Sequence, residues 1–393
     1  MAAFRESPRP VWALDQEVDI DSPELWAVSP GLVHAPQSDG VLTVDRENGE
    51  VVWMWYGDSQ HRLIGLVQCQ GVVVATLLHQ GEEFEEFGDW LQVGLEASSG
   101  TELWRRRVST RAYHPRALVG SGAMVLFSTG THPSQIFDLF SGAAGPKLEL
   151  DRLSEQTVSA AWIDRGRLIL PAFARYPNTQ DNHIEAYDLA TGQRAWEVPF
   201  GANRDLWGVL LYAGKTYLEI NTYRESELTS LGVFELDTER GSMAPNPKWE
   251  LRDESRLIGL PKRATSELSS PWIFARTNRA EGYGIRALHL ERGPMWEASV
   301  APQIYFQRPE TLLLPKVSRT AAVLALPRHG TGSQPDESTY YVLSFAKDSG
   351  RPQADLMVRL PVRGAQGSSW VSVGNWIGFG NQRGAQILGD RDQ

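Results

Sequence analysis

Residues 184–200 read Ile184-Glu-Ala-Tyr-Asp188-Leu-Ala-Thr191-Gly192-Gln-Arg-Ala-Trp196-Glu-Val-Pro-Phe200. The pattern predicts a strand, a tight turn and a returning strand. Apolar residues alternate before the turn, as one face of a strand requires. Gly192 suits the positive φ that ends such a turn, and Asp188 is placed to accept hydrogen bonds from NH groups within it. Trp196 then lies flat on the returning strand, with an indole NH that needs an acceptor.

The same hairpin recurs. Aligned on the turn glycine, it appears at Gly49, Gly100, Gly142, Gly192, Gly241, Gly293 and Gly350, at spacings of 51, 42, 50, 49, 52 and 57 residues. An acid stands four residues before the glycine in the first five copies: Asp45, Glu96, Asp138, Asp188 and Asp237. Trp53, Trp104 and Trp196 stand four after it, Trp296 three after, and Trp249 follows an insertion. The pentapeptide Arg62–Leu66 returns as Arg256–Leu260, four periods on. A period near 50 residues marks a repeat architecture. Between the hairpins lie further strand pairs, as in 63–78, 117–129, 158–173, 206–220, 257–275 and 312–326. Each repeat is thus a unit of four strands, A to D from inside to outside, and such units arranged around an axis make an all-β propeller.

Ala186, Asp188, Gly192 and Trp196 together spell Ala-x-Asp-x-x-x-Gly-x-x-x-Trp, and in this the chain resembles the PQQ-like propeller family. That family includes the quinoprotein dehydrogenases and the outer-membrane assembly lipoprotein propellers. The resemblance spans nearly the whole chain and implies a single propeller domain over 1–393. Eight blades are expected, with seven as the alternative. In the eight-bladed reading residues 10–15, with Trp12 in the motif position, complete the last blade together with 368–390.

For the dehydrogenases the resemblance also implies a quinone, a calcium ion, a catalytic aspartate and, in many, a vicinal disulfide. This chain has one cysteine, Cys69, and lacks a recognisable ligand constellation. The lipoprotein reading requires a cysteine near the N-terminus, whereas Cys69 falls in an apolar strand. The expectation is therefore a member without the catalytic features. It is not an enzyme, holds no cofactor and no metal, and acts as a protein-interaction scaffold or assembly subunit. A quinone-dependent or other enzyme with its site at the channel mouth is the alternative.

Charge and composition restrict the partners. The formal net charge of −10 opposes nucleic acid and anionic membrane, and no stretch approaches the roughly 20 apolar residues of a membrane span. The first twenty residues carry charge and lack the apolar centre of a secretory signal, so a cytoplasmic location is expected.

Binding is expected where connections are long and variable. In a four-stranded blade the B-to-C and D-to-A connections share one end. The B-to-C loops are read as 79–90, 174–183, 221–230, 275–284 and 327–339. Arg62, Arg116, Arg204, Arg256 and Arg308 stand at or just before strand A. They form either a ring that attracts an acidic segment of a protein partner or local ties to Asp58, Asp205, Asp253 and Glu310. Phe84 and Phe87 alternate with acids in 82–87 and either dock in a partner's groove or pack on the propeller itself. Asp181, His183 and Glu185 share one side of an extended segment, but a single strand rarely offers three ligands to one ion.

Overall fold

A computed structural model of the chain describes residues 9–14, 27–29, 31–37, 39–45, 48–58, 60–79, 89–109, 113–128, 133–148, 150, 160–172, 182–200, 204–224, 227–245, 267–268, 272–279, 282–300, 312–313, 320–328, 337–346, 349, 351–361, 369–373, 376–381 and 384–389. These are almost wholly β-strand, grouped into eight sheets. The first strand, β1 (Arg9–Leu14), belongs to the last sheet. Sheet one is β2 (Ala27–Ser29), β3 (Leu32–Pro36), β4 (Gly40–Asp45) and β5 (Val51–Tyr56). Sheet two is β6 (His61–Cys69), β7 (Val72–His79), β8 (Asp89–Glu96) and β9 (Glu102–Ser109). Sheet three is β10 (Tyr113–Gly120), β11 (Ala123–Ser128), β12 (Ser134–Asp138) and β13 (Ala144–Leu148). Sheet four is β14 (Trp162–Asp164), β15 (Arg167–Ala172), β16 (His183–Asp188) and β17 (Arg194–Pro199).

Sheet five is β18 (Arg204–Tyr212), β19 (Lys215–Arg224), β20 (Glu227–Asp237) and β21 (Ser242–Pro245), joined by β22 (Glu267–Leu268). Sheet six is β23 (Trp272–Arg279), β24 (Gly282–His289) and β25 (Gly293–Val300), joined by β26 (Leu312–Leu313). Sheet seven is β27 (Thr320–Arg328), β28 (Glu337–Ala346) and β29 (Pro352–Pro361). Sheet eight is β30 (Ser369–Val373), β31 (Trp376–Asn381) and β32 (Gly384–Gly389), with β1 on its outer edge. The chain is a β-propeller. Trp12 on β1 pairs with Ile387, so the first strand and the last three share one sheet.

Two inner strands depart from the simple four-strand reading. The segment at Leu312–Leu313, expected as an inner strand of its own repeat, pairs instead with Ile273 and Phe274 of β23. Glu267–Leu268 runs parallel to Leu211–Tyr212 of β18. Inner strands crowd around the axis, where an unpaired edge demands partners, and a two-residue segment can satisfy the neighbouring sheet's edge as well as its own.

Sheets pack face to face. β2, β6, β10 and β14 adjoin in turn along the inner side. One apolar cluster spans sheets one and two, another sheets three and four, and a third sheets four and five. The middle strands, such as Val72–Leu78 of β7, are buried on both faces. Only the outer strands show the alternation that the sequence pattern predicts. In β5, Trp53 is buried while Val52 and Met54 on either side are exposed.

The repeated acid, glycine and tryptophan have distinct jobs. Asp188 Oδ1 accepts hydrogen bonds from the NH groups of Ala190 (3.0 Å) and Thr191 (3.0 Å) and from the Thr191 hydroxyl (3.2 Å). Asp138 does the same for Phe140 and Ser141, and Asp237 for Glu239 and Arg240. The tryptophan reaches into the next sheet. Trp53 Nε1 donates to Ala97 O (2.9 Å), Trp104 Nε1 to Leu139 O (2.8 Å) and Trp196 Nε1 to Thr238 O (2.9 Å). Each acceptor is the residue directly after the acid of the following hairpin. The indole also lies on that hairpin's glycine. A methyl group at Gly142 would sit 2.8 Å from the Trp104 ring, and the φ of Gly142 is 66°. The glycine therefore serves both the turn and the close approach.

A β-bulge aims each indole. In sheets one, two, four and six the register slips beside the tryptophan pair, leaving Val52, Leu103, Ala195 and Met295 as extra residues. A bulge increases local twist and redirects the following side chain, in sheets one, two and four toward the next sheet.

Sheet one also buries a histidine. His34 is 0% exposed; its Nε2 lies 2.9 Å from Ser29 Oγ and its Nδ1 2.8 Å from Thr43 Oγ1, linking β2, β3 and β4. Burial lowers its pKa to about 4.

Two outcomes are expected. Trp104→Ala removes a buried indole and its inter-sheet hydrogen bond and should cost about 3–5 kcal/mol in urea unfolding, and Gly142→Ala should also destabilise, by at least ~1 kcal/mol. The His34 pair of states gives a pH dependence. Between pH 6.5 and about 4 the unfolded chain binds a proton at His34 that the folded chain refuses. Stability present above pH 6.5 should be lost as pH falls through this window, by about 3 kcal/mol relative to a His34→Asn variant.

Candidate functional site

The two ends of the sheets differ in chemistry. At one end lie the A-to-B and C-to-D turns. Gln70–Gly71, Ser121–Gly122, Arg165–Gly166 and Ala213–Gly214 all have positive φ at both residues, the signature of two-residue hairpin turns. At the other end lie the B-to-C and D-to-A connections. Between β7 and β8 run residues 80–88, between β15 and β16 residues 173–182, and between β27 and β28 residues 329–336.

Two of the predicted long loops are not loops. Residues 221–230 and 275–284 are mostly strand: β19 continues to Arg224 and β20 begins at Glu227, while β23 continues to Arg279 and β24 begins at Gly282. Each pair forms an extended hairpin joined by two residues. Polar stretches such as Thr222-Tyr-Arg-Glu look loop-like in sequence, yet cross-strand pairing such as Tyr223↔Leu228 and Arg224↔Glu227 satisfies their backbone.

Unsatisfied polar atoms collect at the connection-bearing end. Six described residues hold buried side-chain nitrogen or oxygen atoms without a hydrogen-bond partner. Five of them lie where an inner strand begins or near where its neighbour ends: Gln37, His79, Trp162, Asp205 and Asn221. The sixth, Arg106, belongs to an outer strand. Asp205 and Asn221 face each other in register across β18 and β19. Asn221 is 0% exposed with both amide atoms unpaired, and one oxygen of Asp205 is likewise unpaired. Burial pushes the Asp205 carboxyl above its ordinary value. Each such atom costs roughly 1–3 kcal/mol unless a water or ligand satisfies it.

The predicted arginines fall at this same end. Arg62 is the second residue of β6, Arg116 the fourth of β10 and Arg204 the first of β18. Arg62 and Arg204 are exposed. Arg204 Nη1 also donates to Phe200 O at 3.2 Å, while its own carbonyl accepts from Asn182 Nδ2 at 2.9 Å. One arginine of the predicted set thus ties down its own D-to-A connection while its side chain stays accessible. Arg256, Arg308, Phe84 and Phe87 lie outside the described residues.

Asp58, which the sequence reading offered as a tie for an arginine, holds a histidine. Its Oδ1 lies 2.5 Å from His61 Nδ1 and accepts the Gln60 NH at 3.0 Å. The hydrogen bond with His61 holds the Asp58 carboxyl below its ordinary value. His61 and His79 are cross-strand partners with rings in a T-shaped arrangement, centroids 5.2 Å apart. This group was missed because its members meet only through the register of β6 with β7. The one signal in the sequence is the short spacing from Asp58 to His61.

No family model matches the chain, and none of the curated proteins matches it. PQQ-type propellers are among the solved structures similar to it. BamB from Moraxella catarrhalis is 12% identical with a TM-score of 0.48, covering 98% of this chain and 100% of that one. A quinohemoprotein alcohol dehydrogenase from Comamonas testosteroni is 11% identical with a TM-score of 0.49, covering 100% of this chain and 78% of that one. A eukaryotic initiation factor is 11% identical with a TM-score of 0.48, covering 98% and 89%. At these identities and scores no activity, ligand or partner transfers to this chain. Among the described residues no helix is long and apolar enough to cross a membrane.

Asn221→Val should stabilise the isolated chain by about 1 kcal/mol, because removing an unpaired buried amide relieves its desolvation cost. Urea unfolding checks this, and a loss of stability would show that the amide is satisfied.

Proposed function

We propose that this propeller is a non-catalytic, cytoplasmic scaffold or assembly subunit that binds a protein partner through its connection-bearing end. The observation that supports the reading is the gathering of unpaired buried polar atoms at that end, with Arg62 and Arg204 exposed beside them. A peptide segment brings backbone NH and C=O groups that satisfy such atoms, and acidic side chains on it complement the arginines. The turn end has its backbone groups closed by its own hairpins and offers less.

A second reading has one observation in its favour. Asp58 orients His61 as a carboxylate orients a general base, so an enzyme with its site at the same rim is the alternative. Affinity purification of the tagged full chain from its native cell, read by mass spectrometry, separates the two. The scaffold reading expects a stoichiometric partner whose yield falls at least ~10-fold in an Arg62→Ala/Arg204→Ala double variant with unchanged melting. A chain recovered alone, carrying near-ultraviolet absorbance from a bound quinone, would sink it in favour of the enzyme. A partner retained fully by the double variant moves the interface elsewhere.

A further inference from the structure

The outer strands of sheets four and six carry the same cross-strand position with opposite chemistry. In sheet six, Arg286 faces Glu297 across β24 and β25, and the two form an ion pair at 3.0 Å. In sheet four the corresponding partners, one position from the tryptophan pair, are Glu185 and Glu197. Two carboxylates directly opposite on a sheet repel, so this position needs a cation between them.

Arg194 supplies one. Its Nη1 lies 3.2 Å from Glu185 Oε1 and 3.0 Å from Glu197 Oε2, and the Glu185 carboxylate holds the guanidinium pKa above its ordinary value. One guanidinium against two carboxylates still leaves a net negative charge. His183, two residues along β16 on the same side, places Nε2 3.2 Å from Glu185 Oε1. The Tyr187 hydroxyl donates to Glu185 Oε2 at 2.9 Å and fixes that carboxylate from the other side. One ligand atom each from His183, Glu185 and Glu197 lies within 4.8 Å of the others.

Trp196 turns to the opposite side, toward sheet five, so the cluster faces sheet three. There β13 carries Pro146 and Lys147 and lacks the motif tryptophan that covers the next hairpin in sheets one, two and four. β13 itself takes the indole's place against that hairpin: a methyl group at Gly192 would meet the Lys147 carbonyl oxygen and, at 3.1 Å, Pro146 Cβ.

The geometry points to a divalent transition-metal site, of the zinc class, formed by His183 Nε2 and the carboxylates of Glu185 and Glu197. One imidazole nitrogen and two carboxylate oxygens are a donor set that zinc accepts, at about 2.0–2.2 Å each. Ligand atoms around such an ion stand about 3.4 Å apart, a short rotation of Glu197 from where they lie now. Glu197 and Arg194 are both half-exposed and free to make that movement. A water would take the fourth position. Arg194 is the resident cation and yields its place on binding; it acts as an internal competitor. The single-strand trio of Asp181, His183 and Glu185 is replaced by a two-strand set, with Glu197 brought in by the β16–β17 register and Asp181 outside the described residues.

The test is calorimetric titration of zinc chloride into the untagged, chelator-treated full chain at pH 7.5. One zinc per chain is expected. His183→Ala and Glu197→Gln should each weaken binding at least ~10-fold, and Arg194→Ala should tighten it several-fold. Circular dichroism melts without metal confirm that each variant is folded, and zinc should raise the melting temperature of the wild type but not of Glu197→Gln. The proposal is overturned by absence of zinc binding in the wild type. It is equally overturned by undiminished binding in both ligand variants, or by weaker binding in Arg194→Ala.

Discussion

The indole of one sheet donating to a turn carbonyl of the next is the coupling from which the rest of this structure follows. It is directional: Trp53, Trp104 and Trp196 each reach forward, never back. Each bond requires its acceptor carbonyl to be held still, and the acid and glycine of the following hairpin hold it. Each indole requires a flat surface, and the glycine that makes the turn supplies one. A single set of residues thereby serves local turn geometry and sheet-to-sheet packing at once. That double use explains why the spacing repeats so faithfully where sheet sequences otherwise drift.

This also explains what could be read without a structure. Asp188, Gly192 and Trp196 act within one hairpin or one hairpin onward, so their intervals are visible along the chain. The strand that pairs with β32 is marked in the sequence by Trp12. What depends on register was not legible. The bulge at Val52, Leu103 and Ala195 has no sequence signature of its own, and neither has the meeting of His61 with His79 or of Asp205 with Asn221. The polar segments 221–230 and 275–284 resembled loops because polarity alone does not reveal whether a backbone finds a partner strand. Inner strands were the weakest reading, since short segments around an axis have two edges within reach and little side-chain pattern to choose between them.

The two ends of the wheel divide its labour. The turn end is self-contained, each acid closing its own hairpin and each two-residue turn using the left-handed region efficiently. The connection end holds nearly all the described polar atoms that lack a partner, next to exposed arginines and the Asp58–His61 pair. Burying an amide such as that of Asn221 without a partner costs stability. The rim of sheet four adds a third chemical zone, on the outer circumference, where like charges are held together by a single arginine.

Pairing of β1 with β32 means that one sheet is completed by a non-covalent seam between strands far apart in sequence. Such a seam sets an order on assembly. β1 cannot make this pairing until β32 has been synthesised. Sheets one to four, each built from consecutive strands, can form as synthesis proceeds, whereas the β1–β32 pairing joins strands far apart in sequence and carries a higher entropic cost of closure. The sheet that β1 completes is therefore the last one available to the folding chain.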